Sequence, residues 1–156
     1  MNYQDTAGLL ILGSRFRRLS ESFLTAINMI YRSQRISFEA GWFPVFYLLA
    51  HQDSLTVNEL SEAMRCSQPT ASQLVRNLRE KGFIRSAMHP TDARSQEIVL
   101  TKKGMQLLAR LRPVWQAMDQ VFEEHFEPTL LKKIARLEKQ LEPEILAEKV
   151  NKQLAS

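Results

Sequence analysis

The sequence holds one cysteine, Cys66. A lone thiol excludes an internal disulfide framework and fits a chain kept in a reducing cytoplasm. No apolar run approaches the roughly 20 residues needed to cross a bilayer. The stretch GLLILG near the start is too short for that and lacks a cleavage-like segment, so no signal peptide is read. The sequence also has no Gly-rich phosphate loop and no nucleophile elbow. His51, His89 and His125 are far apart, without HxxxH or CxxC spacing, and no metal site is expected. Glu123 and Glu124 are adjacent on a predicted helix and point to different sides, so they do not pair as an acid and a base. Neither an enzyme nor a cofactor is expected.

What is present is the composition of a foldable protein: 156 residues, 44% apolar and 24% charged. That length fits one domain or two small packed lobes. The net charge of +4 is unevenly placed. Residues 1–35 hold five basic and two acidic residues, and residues 56–104 hold eight and five. Residues 36–55 hold two acidic and no basic residues, and residues 105–156 are balanced at eight each. This modest excess permits a polyanionic partner without demanding one.

Both ends carry apolar stripes at helical spacing. Leu9, Phe16, Phe23 and Ile30 recur every seven residues, and Leu12, Leu19 and Ala26 form a second seam, which predicts a long helix over 8–33 with Gly13 weakening its first turns. Leu108, Leu111, Trp115, Met118 and Phe122 line a helix over about 102–126, broken at Pro128. Leu130, Ile134, Leu137 and Leu141 line another, with Pro143 as a kink. An intramolecular core is the plain reading of such stripes. Here three of them flank a small central region with little surface to cover them, so the terminal helices are expected to pack against a second copy of the chain. Leu9, Leu12, Phe16, Leu19, Ile134, Leu137 and Leu141 would be dimerisation residues.

The centre is written differently. ISFEAG reads as a loop. WFPVFYLLAH reads as a short apolar helix with Pro44 in its first turn. DSL reads as a turn. TVNEL, residues 56–60, is a capping box: Thr56 accepts from the third helical N–H, and Glu59 reaches back to the Thr56 N–H. Val57, Leu60, Ala63 and Met64 mark the buried face of that helix. RCS is a tight connection, after which Ser67 caps a second helix with Pro69 in its first turn. Ala71, Leu74, Val75 and Leu78 follow the i, i+3, i+4, i+7 rule, and Gly82 ends the helix at C′.

At about 100° per residue, Pro69, Gln73, Arg76 and Glu80 project away from the apolar stripe, with Thr70, Ser72 and Asn77 flanking. Solvated helix faces are usually filled with Glu and Lys. Short hydroxyls, amides and a guanidinium are groups that hydrogen-bond base edges or phosphates. Two short helices, a tight turn and a polar outward face describe a helix-turn-helix. FIRSAMHPTDARSQEIVLT then reads as two strands with a turn-rich tip, which would make a winged helix. Arg94 at that tip suits the narrow, electronegative minor groove, with Asp92 near enough to orient it. An ordinary surface Asp–Arg pair is the plain alternative.

ELSEAMRCSQPTASQLVRNLREKGFI, then Asp92-Ala93-Arg94, then VLTKKG together resemble the MarR family of winged-helix transcriptional regulators. GLLILGSRFRRLSESF and WFPVFYLL are further similar to the subgroup fused to an acetyltransferase, a domain not expected in this chain. The resemblance covers about residues 45–105 in motif detail. It implies a mainly α fold with a small β-wing: a single domain over 1–156, with a winged helix-turn-helix lobe over 42–104 and dimerisation helices over 8–35 and 105–156. It implies an obligate homodimer on double-stranded DNA, in the cytoplasm, acting as a repressor on a pseudo-palindromic site. DNA contact falls on Ser67, Gln68, Thr70, Ser72, Gln73 and Arg76, with Asn77 beside them, and on Asp92 and Arg94 in the wing. A small effector in the cleft between the lobes is implied too. The family often has basic residues beside the wing Asp and Arg; here Ala93, Ser95, Gln96 and Glu97 stand there, so a shallow salt dependence is expected.

Other readings compete at single residues. Cys66 is read as a small, partly buried turn residue rather than a thiol sensor, and His89 as a phosphate contact or a spectator. Trp42, Tyr47 and Trp115 are read as core, with the wall of a ligand pocket as their alternative use. For the whole chain the alternative is a winged-helix protein-interaction module that reads no DNA.

Overall fold

A computed structural model describes residues 6–88 and 96–155. The N-terminal seam forms a helix, α1 (Leu12–Ser33), entered through a 3-10 turn over Gly8–Ile11. A second 3-10 turn, Ala40–Trp42, leads into α2 (Phe43–His51), with Pro44 in the first turn. Then follow β1 (Leu55–Thr56), α3 (Val57–Ala63), α4 (Gln68–Glu80), β2 (Ile84–Met88), β3 (Gln96–Leu100), α5 (Lys102–His125), α6 (Leu130–Gln140) and α7 (Pro143–Leu154). The chain falls into two compact units, residues 1–114 and 115–156, so α5 belongs to both.

Three helices of the first unit end in the same way. In the Schellman motif the C′ residue is left-handed, its N–H bonds back to C2, and the next N–H bonds to C3. Gly82, with φ 75°, does this for α4, through Gly82 N–H to Arg79 O and Phe83 N–H to Leu78 O. Arg35 (φ 53°) does it for α1 and Arg65 (φ 48°) for α3, each with both return bonds. The residue after each left-handed position turns inward: Ile36 and Phe83 are buried and Cys66 is half-buried.

That inward turn builds the core. The expected loop ISFEAG buries Ile36, Phe38 and Ala40 in strand-like alternation while Ser37 and Glu39 stay exposed. Phe38 is the hub of an edge-to-face cluster, with ring centroids 5.0 Å from Tyr31, 5.5 Å from Trp42 and 5.1 Å from Phe46. Phe83 joins it at 5.9 Å from Trp42 and 6.0 Å from Phe46. Rings prefer this geometry to face-to-face stacking, and each such pair contributes about 0.5–1.5 kcal/mol beyond area burial. On α1 the buried positions are Ile27 and Tyr31, beside the heptad seam rather than on it.

The wing strands belong to a three-stranded antiparallel sheet of order β1-β3-β2. Leu55, expected in a turn, is a strand residue opposite Ile98, and both are buried with Ile84 on the inner face. Helix α3 has seven residues. Leu60 and Ser61 carry its burial, Val57 and Met64 are half-buried, and Ala63 is exposed.

In the second unit, Pro143 does not kink a helix; it opens α7 after a break at Leu141 and Glu142. Lys133 and Thr129 hydrogen-bond the Glu127 carboxylate, which holds its pKa below the ordinary 4.5. No described residue of α6 or α7 is buried.

Candidate nucleic-acid interface

The helix-turn-helix is built from its caps outward. Thr56 Oγ1 accepts from the Glu59 N–H at 3.2 Å, and Glu59 Oε2 accepts from the Thr56 N–H at 2.6 Å, so the capping box starts α3 as the spacing predicts. Ser67 Oγ accepts from the Thr70 N–H and lies 2.8 Å from Thr70 Oγ1, starting α4. Ala71, Val75 and Leu78 bury one stripe of α4. The opposite face is open: Ser67, Gln68, Thr70, Ser72, Gln73, Arg76 and Asn77 are all exposed.

These side chains are partly organised. Gln73 Nε2 donates to Asn77 Oδ1 at 2.9 Å, one turn along the helix. Gln68 Nε2 donates to Asn58 Oδ1, which lies on α3. Arg76 has no partner among the described residues, and its guanidinium is free to act as a two-pronged donor.

Several contacts fix the far end of α4. Thr101 Oγ1 donates to Gly82 O at 2.6 Å and accepts from the Gly104 N–H at 3.1 Å, so one hydroxyl caps α5 and ties it to the end of α4. Arg79 donates to Ser86 Oγ on β2 at 2.8 Å. Lys103 Nζ donates to Lys81 O at 2.7 Å and sits 4.7 Å above the Phe83 ring, and Lys81 Nζ sits 5.3 Å above Trp42. These three cations are therefore engaged, while Arg85 projects from the outer face of β2 without a partner among the described residues.

The wing-tip candidates Asp92 and Arg94, and His89, lie outside the described residues. Cys66 is half-buried in the turn, as expected. Trp42 is core, but Tyr47 is not: it is exposed, its ring between Phe43 at 5.1 Å and His51 at 4.5 Å. Residue 47 falls on the outward side of α2, away from buried Val45, Phe46 and Leu49. Trp115 is half-buried and belongs to the second compact unit. Sequence reasoning did not single out Asn58, Arg85, Thr101 or Gly104. Only Arg85 had a signal, the alternation with buried Ile84. Among the described residues no group of three His, Cys, Asp or Glu side chains could hold a metal, and no helix is long and apolar enough to cross a membrane.

Known proteins share this arrangement. The MarR family model matches residues 36–95. An uncharacterized HTH-type transcriptional regulator of Bacillus subtilis, YdcH, is 30% identical over 76 residues, 49% of this chain and 52% of that protein. The chain thus spans about half the length of the curated relatives it matches first. Among solved structures, S. aureus MepR in complex with DNA is 26% identical with a TM-score of 0.66, covering 83% of this chain and 95% of that one. The M. tuberculosis transcriptional regulator MOSR in complex with DNA is 21% identical with a TM-score of 0.70, covering 83% and 94%, and shows the same fold. The capped helix-turn-helix, the hairpin behind it and the match over 36–95 converge: the chain has a winged-helix fold, and its residues 36–95 are similar to the MarR family.

Proposed function

We propose that this protein is a sequence-specific regulator of transcription that binds double-stranded DNA as a homodimer. The observation that carries the reading is the outward face of α4: seven exposed hydroxyl, amide and guanidinium side chains, from Ser67 to Asn77, on a helix held at both ends. A major groove admits such a helix, and these groups match its donors and acceptors. Arg85, exposed on the outer face of β2, supplies further positive charge.

The dimer rests on apolar surface. Leu9 in the first 3-10 turn and Leu12, Phe16 and Leu19 on α1 are exposed, as are Ile134 and Leu137 on α6, Leu141 just after it, and Ile145, Leu146 and Val150 on α7. Apolar surface on this scale marks an interaction site, and a unit with no buried residue in two of its helices needs covering to be stable. A second copy supplies the matching faces. A two-fold dimer then carries two reading helices, and occupying two half-sites would block a promoter, which makes repression the expected sign. Ligand response would act by changing half-site spacing.

Selecting bound duplexes from a random DNA pool tests the reading. A two-fold symmetric motif is expected, with affinity falling as salt rises, but less steeply than for a wing rich in cations. Binding without salt dependence or sequence preference would leave a protein-interaction module as the reading.

A further inference from the structure

Two side-chain amides on the reading face are held by other amides, in the same sense. Gln73 Nε2 donates to Asn77 Oδ1 within α4, and Gln68 Nε2 donates to Asn58 Oδ1 across the helix-turn-helix. Asn58 is the less expected partner. It lies at the second position of α3, ten residues before Gln68, and its own backbone carbonyl is engaged by Ser61 Oγ at 2.8 Å. Gln68 is the first residue of α4, at the end of a recognition helix that meets base edges.

We propose that Asn58 is a positioning residue for base recognition: it holds the Gln68 amide so that Gln68 selects adenine. The inference rests on the DNA-binding reading above. A free glutamine amide has three rotatable bonds and can turn either its oxygen or its nitrogen outward. With one Nε2 hydrogen given to Asn58, Gln68 retains its Oε1 acceptor and its second N–H as a fork. Adenine presents a donor at N6 and an acceptor at N7, which match that fork. Guanine presents acceptors at both O6 and N7, so its O6 would face Oε1 without a hydrogen between them. Removing the Asn58 acceptor frees the amide to rotate and donate to either purine. The Asn58 effect is therefore on preference between bases, and it is exerted without touching a base.

The probe is the duplex recovered from the random pool by the wild-type chain. It is varied to each of the four base pairs at each position, with a 7-deazaadenine version lacking the N7 acceptor. Gln68→Ala is expected to lose adenine preference at one symmetric pair of positions. Asn58→Ala is expected to lose the same preference at the same positions, on the order of tenfold. Asn58→Asp keeps an acceptor for Nε2 and is expected to retain the preference, while binding every duplex more weakly because a carboxylate faces phosphates. The hydrogen bond is also read without DNA: the Gln68 side-chain amide resonances should shift in Asn58→Ala and stay split in Asn58→Asp.

Uniform weakening by Asn58→Ala, with base ratios unchanged, would make Asn58 a phosphate contact and overturn the proposal. So would loss of the preference in Asn58→Asp, or a Gln68→Ala variant with every ratio intact. If the wild-type chain itself recovers no motif, the DNA-binding reading fails first and this proposal falls with it.

Discussion

Gly104 shows how little room the reading unit leaves at single residues. A Cβ built there would stand 2.1 Å from Phe83 O and 3.0 Å from Leu100 Cδ2. Phe83 is the inward-turning residue after α4, and its carbonyl also accepts from the Thr101 N–H at 2.9 Å, so it cannot yield without moving both ends of that junction. Gly104→Ala is expected to cost about 3 kcal/mol, the upper range for overpacking, read as a lower urea midpoint. Arg35 is the opposite case. It holds the left-handed C′ position of α1 with an exposed side chain. Glycine there relieves about 1–2 kcal/mol of backbone strain and gives back about 0.4–1 kcal/mol through the freer unfolded chain. Arg35→Gly should therefore raise stability by about 0.5 kcal/mol. A fall in the midpoint would mean that the Arg35 side chain contributes more than its exposure suggests.

Among the elements, α4 is the proposed reading helix, and Gln73 and Arg76 stand at the centre of its outward face. Gln73→Ala and Arg76→Ala should each relax preference at defined bases and cost about 1–3 kcal/mol in binding if the contact is bidentate. Operator duplexes with single base-pair changes separate this from uniform weakening; wild-type ratios in both variants would place the reading face elsewhere. Much of this element was legible in the sequence because its signals are local. Ser67, Pro69, the Ala71–Leu78 stripe and Gly82 each act within a turn or two of their own position, as does the Thr56–Glu59 box. The parts that escaped are those fixed by distant chain. Leu55 and Thr56 are too short a run to announce a strand, and become one only because β3 offers them a partner. Phe38 looks like a loop residue until Tyr31, Trp42 and Phe46 surround it. The left-handed Arg35 and Arg65 carry no glycine to advertise them. Asn58 and Gln68 meet across the turn, a contact that no periodicity encodes.

At the scale of the whole molecule, the largest unsatisfied quantity is apolar area. Leu10 is 93% exposed, Leu131 79% and Leu19 65%. Leu19→Glu or Ile134→Glu puts a charge into the faces assigned to the second copy, where an unpaired carboxylate is costly to bury. Sedimentation should show the mass of two chains for the wild type and a shift towards one chain, or towards aggregates, for the variants. A two-chain mass retained in both variants would move the interface off these faces. The same molecule also carries its own optical reporter. It has two tryptophans, Trp42 and Trp115. The indole of Trp42 lies under the Lys81 ammonium, at the C-terminal end of the proposed reading helix. A duplex phosphate that draws Lys81 away takes a positive charge off that excited ring. In a Trp115→Phe background, emission should then shift on titration with operator DNA, with no dye attached. Emission unchanged at saturation would mean that Lys81 remains on its ring and that the phosphates are met by other residues.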